Sequence, residues 1–294
     1  MDSMERQKLG KFEVTILDPK VIVFHNAIED PDGLIDHYEK NVPWRGWFGF
    51  GRQVDEQGPY MEYANPYFPP YEEWKRVMID TVSDKPVRQG IAESFYWATK
   101  EYIDYTGTEL PNWICKNWTL ARYIPDENVI NNDNLTMNYH TDYEANSSDS
   151  PGEKFAITAV IYPNDDYDGG EIAFRISNDN YEVEREIEYK PVKGDIVIFP
   201  AGHPYYHGVK RIWDNPKYII RAYWLYRAEP SEEWLELRKK YGDRFPELES
   251  ERLKRHDLME ADPVLRRMFT LKEYYEHLED GTLPPAGWRD GKTK

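Results

Sequence analysis

The sequence has few of the features that mark disulfide-bonded, secreted or membrane-spanning proteins. Its 294 residues include one cysteine, Cys115, so an intramolecular disulfide is impossible and a zinc site built from cysteines is disfavoured. No apolar run approaches the roughly 18 residues that a membrane-spanning helix needs. The first residues contain no apolar stretch of the kind that secretory signals have. We therefore expect an intracellular, cytoplasmic protein.

Positive charge is also scarce in this chain. It has 37 Lys and Arg against 54 Asp and Glu, which gives a formal net charge of −17. Proteins that bind nucleic acid need a basic surface, because neutralising phosphates supplies much of their affinity. Anionic membrane surfaces also attract basic segments. We therefore expect neither nucleic acid nor a membrane among the partners.

Aromatic residues, in contrast, make up 15% of the chain. Each can bury roughly 150–250 Å², so the sequence can form a large core. Two extended runs are predicted within residues 12–24, and residues 33–39 predict a short helix. Apolar residues at spacings of three and four predict longer helices at 71–82 and 86–107. Residues 43–70 are rich in Gly, Pro and aromatics and predict a long loop.

From about Trp113 the apolar period changes to two, which is typical of strands. Polar turn clusters separate the segments without intervening helices, and this favours an antiparallel sandwich or barrel. A polar, Asn-rich segment at 124–154 interrupts the strands, and helical spacing returns from Ser231. The predicted strands are 117–123, 155–163, 170–176, 181–189, 195–199, 204–210 and 217–226; the predicted C-terminal helices are 231–240, 247–259, 263–268 and 271–279.

A candidate metal site lies within the β part. His140 and Asp142 are two residues apart, so on an extended segment their side chains face the same side and can meet one ion. A second histidine, His207, lies on a predicted strand that could pair back across the sheet. Two histidines and one carboxylate form the facial triad of non-haem Fe(II) oxygenases, which leaves the opposite positions open. In isolation, a His-x-Asp pair is more typical of a surface loop with a solvated Asp.

Three further motifs follow the His-x-Asp pair in chain order. They read Asp168-Gly-Gly-Glu171, Gly194-Asp195-Ile-Val-Ile-Phe199-Pro200 and His207-Gly208-Val209. This order resembles the 2-oxoglutarate- and Fe(II)-dependent dioxygenase superfamily, and within it the prolyl 4-hydroxylase-like branch, over about residues 113–227. The resemblance implies a mainly β (α+β) fold with a double-stranded β-helix, a jelly roll related to the cupins.

The same resemblance implies a division of the chain. A single oxygenase domain would span residues 1–230, with N-terminal helical support at 1–112 and the β-helix core at 113–227. Residues 231–294 would form a helical extension packed on or beside this domain. These C-terminal helices could also join two copies as a homodimer.

The resemblance assigns Fe(II) to His140, Asp142 and His207. His203 lies four residues before His207 and competes with it for the third ligand position. The His-Gly-Val motif and the ten residues between His207 and Lys217 favour His207. His203 is then expected at the rim of the site or behind the ligands.

The cosubstrate 2-oxoglutarate would chelate the metal through its keto acid end, and a cation on a following strand would pair with its far carboxylate. Lys217 is the first choice and Arg221 the reserve, because residues four apart on a strand face the same side. Tyr123 resembles the tyrosine that hydrogen-bonds this carboxylate in the family. However, 17 residues separate Tyr123 from His140, which is a longer gap than the family has.

The implied activity is hydroxylation of an unactivated C–H bond, with Fe(II), 2-oxoglutarate and molecular oxygen required and ascorbate as a supporting reductant. A prolyl residue in a peptide or protein is the first substrate expectation, and a free amino acid or other small metabolite is the alternative. A non-catalytic cupin-like binding protein is the second alternative. Asp142 favours hydroxylation over halogenation, because related halogenases replace this carboxylate with a small residue.

Overall fold

The computed structural model describes nine stretches of the chain. They are residues 5–45, 47–50, 61–64, 85–110, 114–125, 134–142, 151–180, 182–260 and 271–282. In these stretches we find no helix with the length and apolar character to cross a membrane.

Strands dominate the described chain; two helices lie between its N-terminal strands, and the other helices follow the last strand. The strands are β1 (Arg6–Leu9), β2 (Phe12–Asp18), β3 (Val21–His25), β4 (Trp47–Phe50), β5 (Met61–Ala64), β6 (Ile114–Tyr123), β7 (Leu135–His140), β8 (Gly152–Tyr162), β9 (Ile172–Ser177), β10 (Val183–Tyr189), β11 (Asp195–Pro200), β12 (Tyr205–Lys210) and β13 (Lys217–Ala228). The helices are α1 (Pro31–Arg45), α2 (Lys85–Thr106), α3 (Glu232–Tyr241), α4 (Phe245–Glu260) and α5 (Leu271–Asp280), with a 3₁₀ turn at Gly242–Arg244.

The strands form two antiparallel sheets that face each other as a jelly roll. The nine-stranded sheet has the order β1-β2-β3-β11-β8-β13-β6-β5-β4, and the four-stranded sheet has the order β10-β9-β12-β7. Strands from distant parts of the chain alternate in each sheet, as expected for a double-stranded β-helix. The fold class implied by the sequence is therefore confirmed.

Strand β11 shows how one strand contributes to two cores. Its side chains alternate between the faces of the larger sheet. Val197 and Phe199 pack between the two sheets with Phe174 and Val209. Ile196 and Ile198 pack on the outer face, in a core that also includes residues of α2. Because both faces are covered, β11 reads as a continuous apolar run.

Helix α2 covers the outer face of the larger sheet, as its sequence spacing predicted. Ile91, Phe95, Ala98 and Tyr102 are buried on one side of the helix. The Tyr102 hydroxyl donates to the carbonyl of Lys20 at 2.9 Å, which fixes the helix to the β2–β3 turn. Trp97, in contrast, is 43% exposed, because it precedes Ala98 by one residue and therefore lies about 100° around the helix from it.

Three predicted segments differ from the structure. The segment 124–154 contains strand β7, whose hydrogen bonds come from a distant strand and leave little local signal. The predicted loop 43–70 contains β4 and β5, which pair with each other and extend the larger sheet beside β6. Helix α1 continues to Arg45, beyond the predicted end at 39. The predicted helices 71–82 and 263–268 lie outside the described residues.

The C-terminal helices have a core of their own. Phe245, Leu248, Tyr274 and Tyr275 are buried together, and Trp234 packs against them. Ser231 caps the start of α3 by accepting a hydrogen bond from the backbone of Trp234 at 3.1 Å. The division into an oxygenase domain at 1–230 and an extension at 231–294 stays a prediction, as does a homodimer through these helices.

A buried polar network connects β2, β3 and β11. Asp195 accepts hydrogen bonds from the Tyr189 hydroxyl at 2.6 Å and from the backbone of Val192 at 2.9 Å. It also contacts Nδ1 of His25 at 2.9 Å, while Nε2 of His25 contacts the Thr15 hydroxyl at 2.8 Å. The Gly-Asp motif therefore supplies an anchor that ties the edge hairpin to the jelly roll.

Removal of the Asp195 carboxylate should destabilise the fold strongly. We expect Asp195→Ala to lower the free energy of unfolding by about 3–5 kcal/mol, because it leaves buried donors without an acceptor. Glu184, which is exposed on β10, provides the control. Glu184→Ala should change the free energy of unfolding by less than about 0.5 kcal/mol. Urea titrations measure both values, and a loss below about 1 kcal/mol for Asp195→Ala would contradict the anchor.

Candidate active site

Strand pairing brings the two candidate histidines together. Strand β12 pairs antiparallel with β7 so that His207 stands directly opposite His140. The two ring centroids are 4.3 Å apart. Gly208 permits this approach, because a Cβ at that position would lie 2.8 Å from the carbonyl oxygen of Met137. The pairing that sequence spacing suggested is therefore present.

The carboxylate of Asp142 is positioned by the larger sheet. The Thr158 hydroxyl donates to Oδ2 at 2.8 Å, and the Tyr223 hydroxyl donates to Oδ1 at 2.9 Å. Thr158 and Tyr223 are direct neighbours in the pairing of β8 with β13. Asp142 follows the end of β7, so these two hydrogen bonds hold it across the gap between the sheets.

The three side chains form a compact group. The candidate ligand atoms of His140, Asp142 and His207 all lie within 4.8 Å of one another. Nε2 of His207 is 3.5 Å from Oδ2 of Asp142, and Nε2 of His140 is 3.8 Å from Oδ1. Two imidazoles and one carboxylate are a donor set that suits Fe(II) and leaves open coordination positions. The residues present therefore fit an iron ion.

The histidines have the protonation that a metal ligand needs. Nδ1 of His140 lies 2.9 Å from the carbonyl oxygen of Asn138, which can only accept, so Nδ1 carries the proton and Nε2 has a free lone pair. Burial, and next the neighbouring His140, lower the pKa of His207 to about 3, so its ring is neutral at physiological pH.

Asp142 stays ionised although it is buried. Burial alone would raise the pKa of its carboxyl group. The neighbouring His207, His140 and Arg221 outweigh that effect, together with the hydrogen bond from Thr158, and the pKa lies below its usual value. The group therefore combines imidazole nitrogen donors with an anionic oxygen donor.

Lys217 lies inside the jelly roll and is fully buried. Its ammonium nitrogen lies 4.8 Å from the ring centroid of Tyr162, 5.7 Å from that of Tyr167 and 5.9 Å from that of Tyr123. It donates a hydrogen bond to the carbonyl of Gly170 at 2.5 Å. Burial, with a smaller contribution from the charge of Lys190, lowers the pKa of Lys217 to about 7. A buried cation in this setting suits an anionic ligand.

The charge of Arg221 acts on two of the three candidate metal ligands. Its charge lowers the pKa of Asp142 and of His207, and its guanidinium carbon lies 5.2 Å from the Tyr223 ring centroid. Tyr123 is directly opposite Lys217 in the pairing of β6 with β13, and its hydroxyl contacts the sulfur of Met137 at 3.2 Å. The positions of Arg221 and Tyr123 are both compatible with binding a carboxylate of 2-oxoglutarate.

His203 lies outside the group formed by His140, Asp142 and His207. Its ring centroid is 6.1 Å from that of Tyr206, and burial lowers its pKa. This agrees with the expectation that His203 stands apart from the ligands.

Sequence reasoning did not identify four residues of this site. Thr158 and Tyr223 hold Asp142, while Tyr162 and Tyr167 surround Lys217. Thr158, Tyr162 and Tyr223 lie on predicted strands, at positions that alternate with residues of the outer core. That alternation could have identified them as inward-facing polar groups.

Affinity for 2-oxoglutarate should depend on pH through Lys217. The charged ammonium predominates below pH 7 and the neutral amine above it, so binding of the dianion must recover a proton above pH 7. We expect the dissociation constant to be nearly constant near pH 6 and to rise by up to about tenfold per pH unit above pH 7. Calorimetric titration of the Mn(II)-loaded protein without oxygen measures this.

The control for that prediction is Lys217→Arg, whose guanidinium stays charged throughout the range. This variant should lose the dependence on pH. An unchanged pH dependence in Lys217→Arg, or a flat profile in the native protein, would contradict the role of Lys217.

The jelly roll and this group of residues agree with comparisons to known proteins. Residues 120–226 match the family model described as the 2OG-Fe(II) oxygenase superfamily. That segment extends from β6 to β13 and contains His140, Asp142, His207 and Lys217. Among curated proteins, no sequence is similar enough to match.

Similar solved structures include three prolyl hydroxylases. A prolyl-4-hydroxylase from Pseudomonas putida is 13% identical, with a TM-score of 0.42 over 71% of this chain and 94% of that one. A prolyl hydroxylase from Trichoplax adhaerens, in complex with a peptide fragment of the oxygen degradation domain of hypoxia inducible factor, is 14% identical, with a TM-score of 0.41 over 70% and 84%. The viral collagen prolyl hydroxylase of Paramecium Bursaria Chlorella virus-1 is 15% identical, with a TM-score of 0.42 over 71% and 97%.

The matched segment thus contains the candidate ligand set, strands of the jelly roll that position it and the buried Lys217. Fe(II), 2-oxoglutarate and molecular oxygen are the cofactor and cosubstrates of this superfamily. The match to the 2OG-Fe(II) oxygenase superfamily covers the segment that carries this site, and it identifies the protein as a dioxygenase.

Proposed function

We propose that this enzyme hydroxylates an unactivated C–H bond, with His140, Asp142 and His207 as the ligands of Fe(II). The observation that carries the proposal is that one donor atom from each of these residues lies within 4.8 Å of the other two. An intact Asp142 favours hydroxylation, because it occupies the position that a halide would need. When bound, iron and 2-oxoglutarate supply the oxidising chemistry, and the protein orients them.

The residues around the ligands have supporting tasks in this proposal. Thr158 and Tyr223 hold the Asp142 carboxylate and satisfy one lone pair on each oxygen, so its remaining lone pairs can face the metal. The carbonyl of Asn138 fixes the tautomer of His140. Partners of this type typically change metal affinity or activity by about 10- to 100-fold when removed.

Lys217 is the proposed anchor for the far carboxylate of 2-oxoglutarate, with Tyr123 beside it. Its burial supports this role, because a buried ammonium is costly unless an anion neutralises it. Arg221, whose charge lowers the pKa of Asp142, is the alternative anchor.

The proposed substrate is a prolyl residue in a peptide or protein. The order of motifs from His140-x-Asp142 to His207-Gly-Val supports it, because that order resembles the prolyl 4-hydroxylase-like branch. A free amino acid or another small metabolite is the second candidate. A non-catalytic cupin-like binding protein is the third candidate, and it would not need an ionised Asp142 beside a neutral His207.

A succinate-release assay tests the substrate. Proline-containing peptides and free amino acids are incubated with the enzyme, Fe(II), 2-oxoglutarate and ascorbate under air. We expect release above the substrate-free rate with proline peptides, loss of release with His140→Ala, and a mass gain of one oxygen atom in the peptide. Turnover with free amino acids alone would refute the peptidyl substrate and favour the second candidate.

The choice between Lys217 and Arg221 is tested with two ligands. 2-Oxoglutarate has the far carboxylate, whereas 2-oxopentanoate has a methyl group in its place. We expect Lys217→Met to weaken the binding of 2-oxoglutarate by about a hundredfold and to leave the binding of 2-oxopentanoate unchanged. The reason is that charge-assisted hydrogen bonds are lost only for 2-oxoglutarate. Arg221→Met should affect both ligands alike. The reverse pattern would assign the anchor to Arg221.

A further inference from the structure

The ammonium of Lys217 has fewer acceptors than donors. It carries three N–H groups. In the stretches that the structure describes, its hydrogen bond goes to the carbonyl of Gly170. The tyrosine rings of positions 123, 162 and 167 also lie around it and form an aromatic cage. The cage therefore has donor capacity that an anion can use.

A second donor in the same cage is the hydroxyl of Tyr167. This side chain is 3% exposed, and its hydroxyl has no hydrogen-bond partner among the described residues. Buried tyrosine hydroxyls usually find a partner. Burial raises the pKa of Tyr167 well above its usual value, so the group stays protonated and can donate.

The turn that carries Tyr167 is firmly held. Lys190 donates to the carbonyl of Tyr167 at 2.5 Å and also to the carbonyl of Gly169, and its ammonium lies 3.8 Å from the Tyr167 ring centroid. Gly170 has a φ of 68°, and a Cβ there would lie 2.8 Å from Cε2 of Tyr167. The Gly-Gly motif therefore makes room for this ring, and Lys190 holds it beside Lys217.

We propose that the Tyr167 hydroxyl is a second donor to the far carboxylate of 2-oxoglutarate, next to Lys217. The inference rests on the proposed function, since it assumes that this cage binds the cosubstrate. A carboxylate offers about four lone-pair sites, enough for both donors at once. Lys190 is a positioning residue in this arrangement, because it acts through the turn and not on the ligand.

The test compares the native protein with Tyr167→Phe, both loaded with Mn(II) and titrated without oxygen. We expect Tyr167→Phe to lower the affinity for 2-oxoglutarate by about tenfold or more, and to leave the affinities for 2-oxopentanoate and Mn(II) unchanged. The melting temperature without ligand should stay the same or rise, because the removed hydroxyl has no partner to lose. A purely structural hydroxyl would instead lower that temperature and affect both ligands equally.

Tyr218→Phe provides the matched control. Tyr218 is adjacent to Lys217 on β13, but its hydroxyl donates to Glu39 at 2.6 Å, away from the cage. This variant should bind 2-oxoglutarate normally. Native affinity in Tyr167→Phe would overturn the inference alone. Failure of the native Mn(II) protein to bind 2-oxoglutarate would overturn the proposed function and the inference together.

Discussion

The hydrogen bonds from Thr158 and Tyr223 to Asp142 connect the two sheets at the active site. His140 and His207 belong to the four-stranded sheet, whereas the groups that hold the carboxylate belong to the nine-stranded sheet. The separation of the sheets and the pairing of β7 with β12 together set the distances among the three donors. Packing between the sheets, such as that of Phe199 with Phe174, therefore supports the chemistry directly.

Charge is divided along the interior of the jelly roll. Asp142 is anionic at one end, and Lys217, which is charged below about pH 7, lies within its tyrosine cage. This division matches a cosubstrate that chelates a metal at one end and carries a carboxylate at the other. Some of the chain's acidic residues lie elsewhere. Strand β10 is at the opposite edge of the smaller sheet from β7, and its Glu186 and Glu188 pair with Arg175 and Lys210. Those carboxylates form a solvated, partly neutralised face.

Sequence predicted the parts of the fold whose signals are local. The apolar run of β11 and the helical spacing of α2 both appear where expected. Strand β7 was missed because its pairing with β12 depends on residues about 70 positions away. The same holds for the site. The three ligand residues were expected from their motifs, and the structure brings them together. In contrast, the contacts of Thr158, Tyr223 and Tyr167 are not encoded in any short motif.

The central claim is that one metal ion and 2-oxoglutarate bind together at His140, Asp142 and His207. The most direct measurement is a calorimetric titration with 2-oxoglutarate, without oxygen, in the presence and absence of Mn(II), for the native protein and His140→Ala. We expect 2-oxoglutarate to bind tightly only to the native protein in the presence of Mn(II). Binding of 2-oxoglutarate that is equally tight without metal, or in His140→Ala, would contradict it.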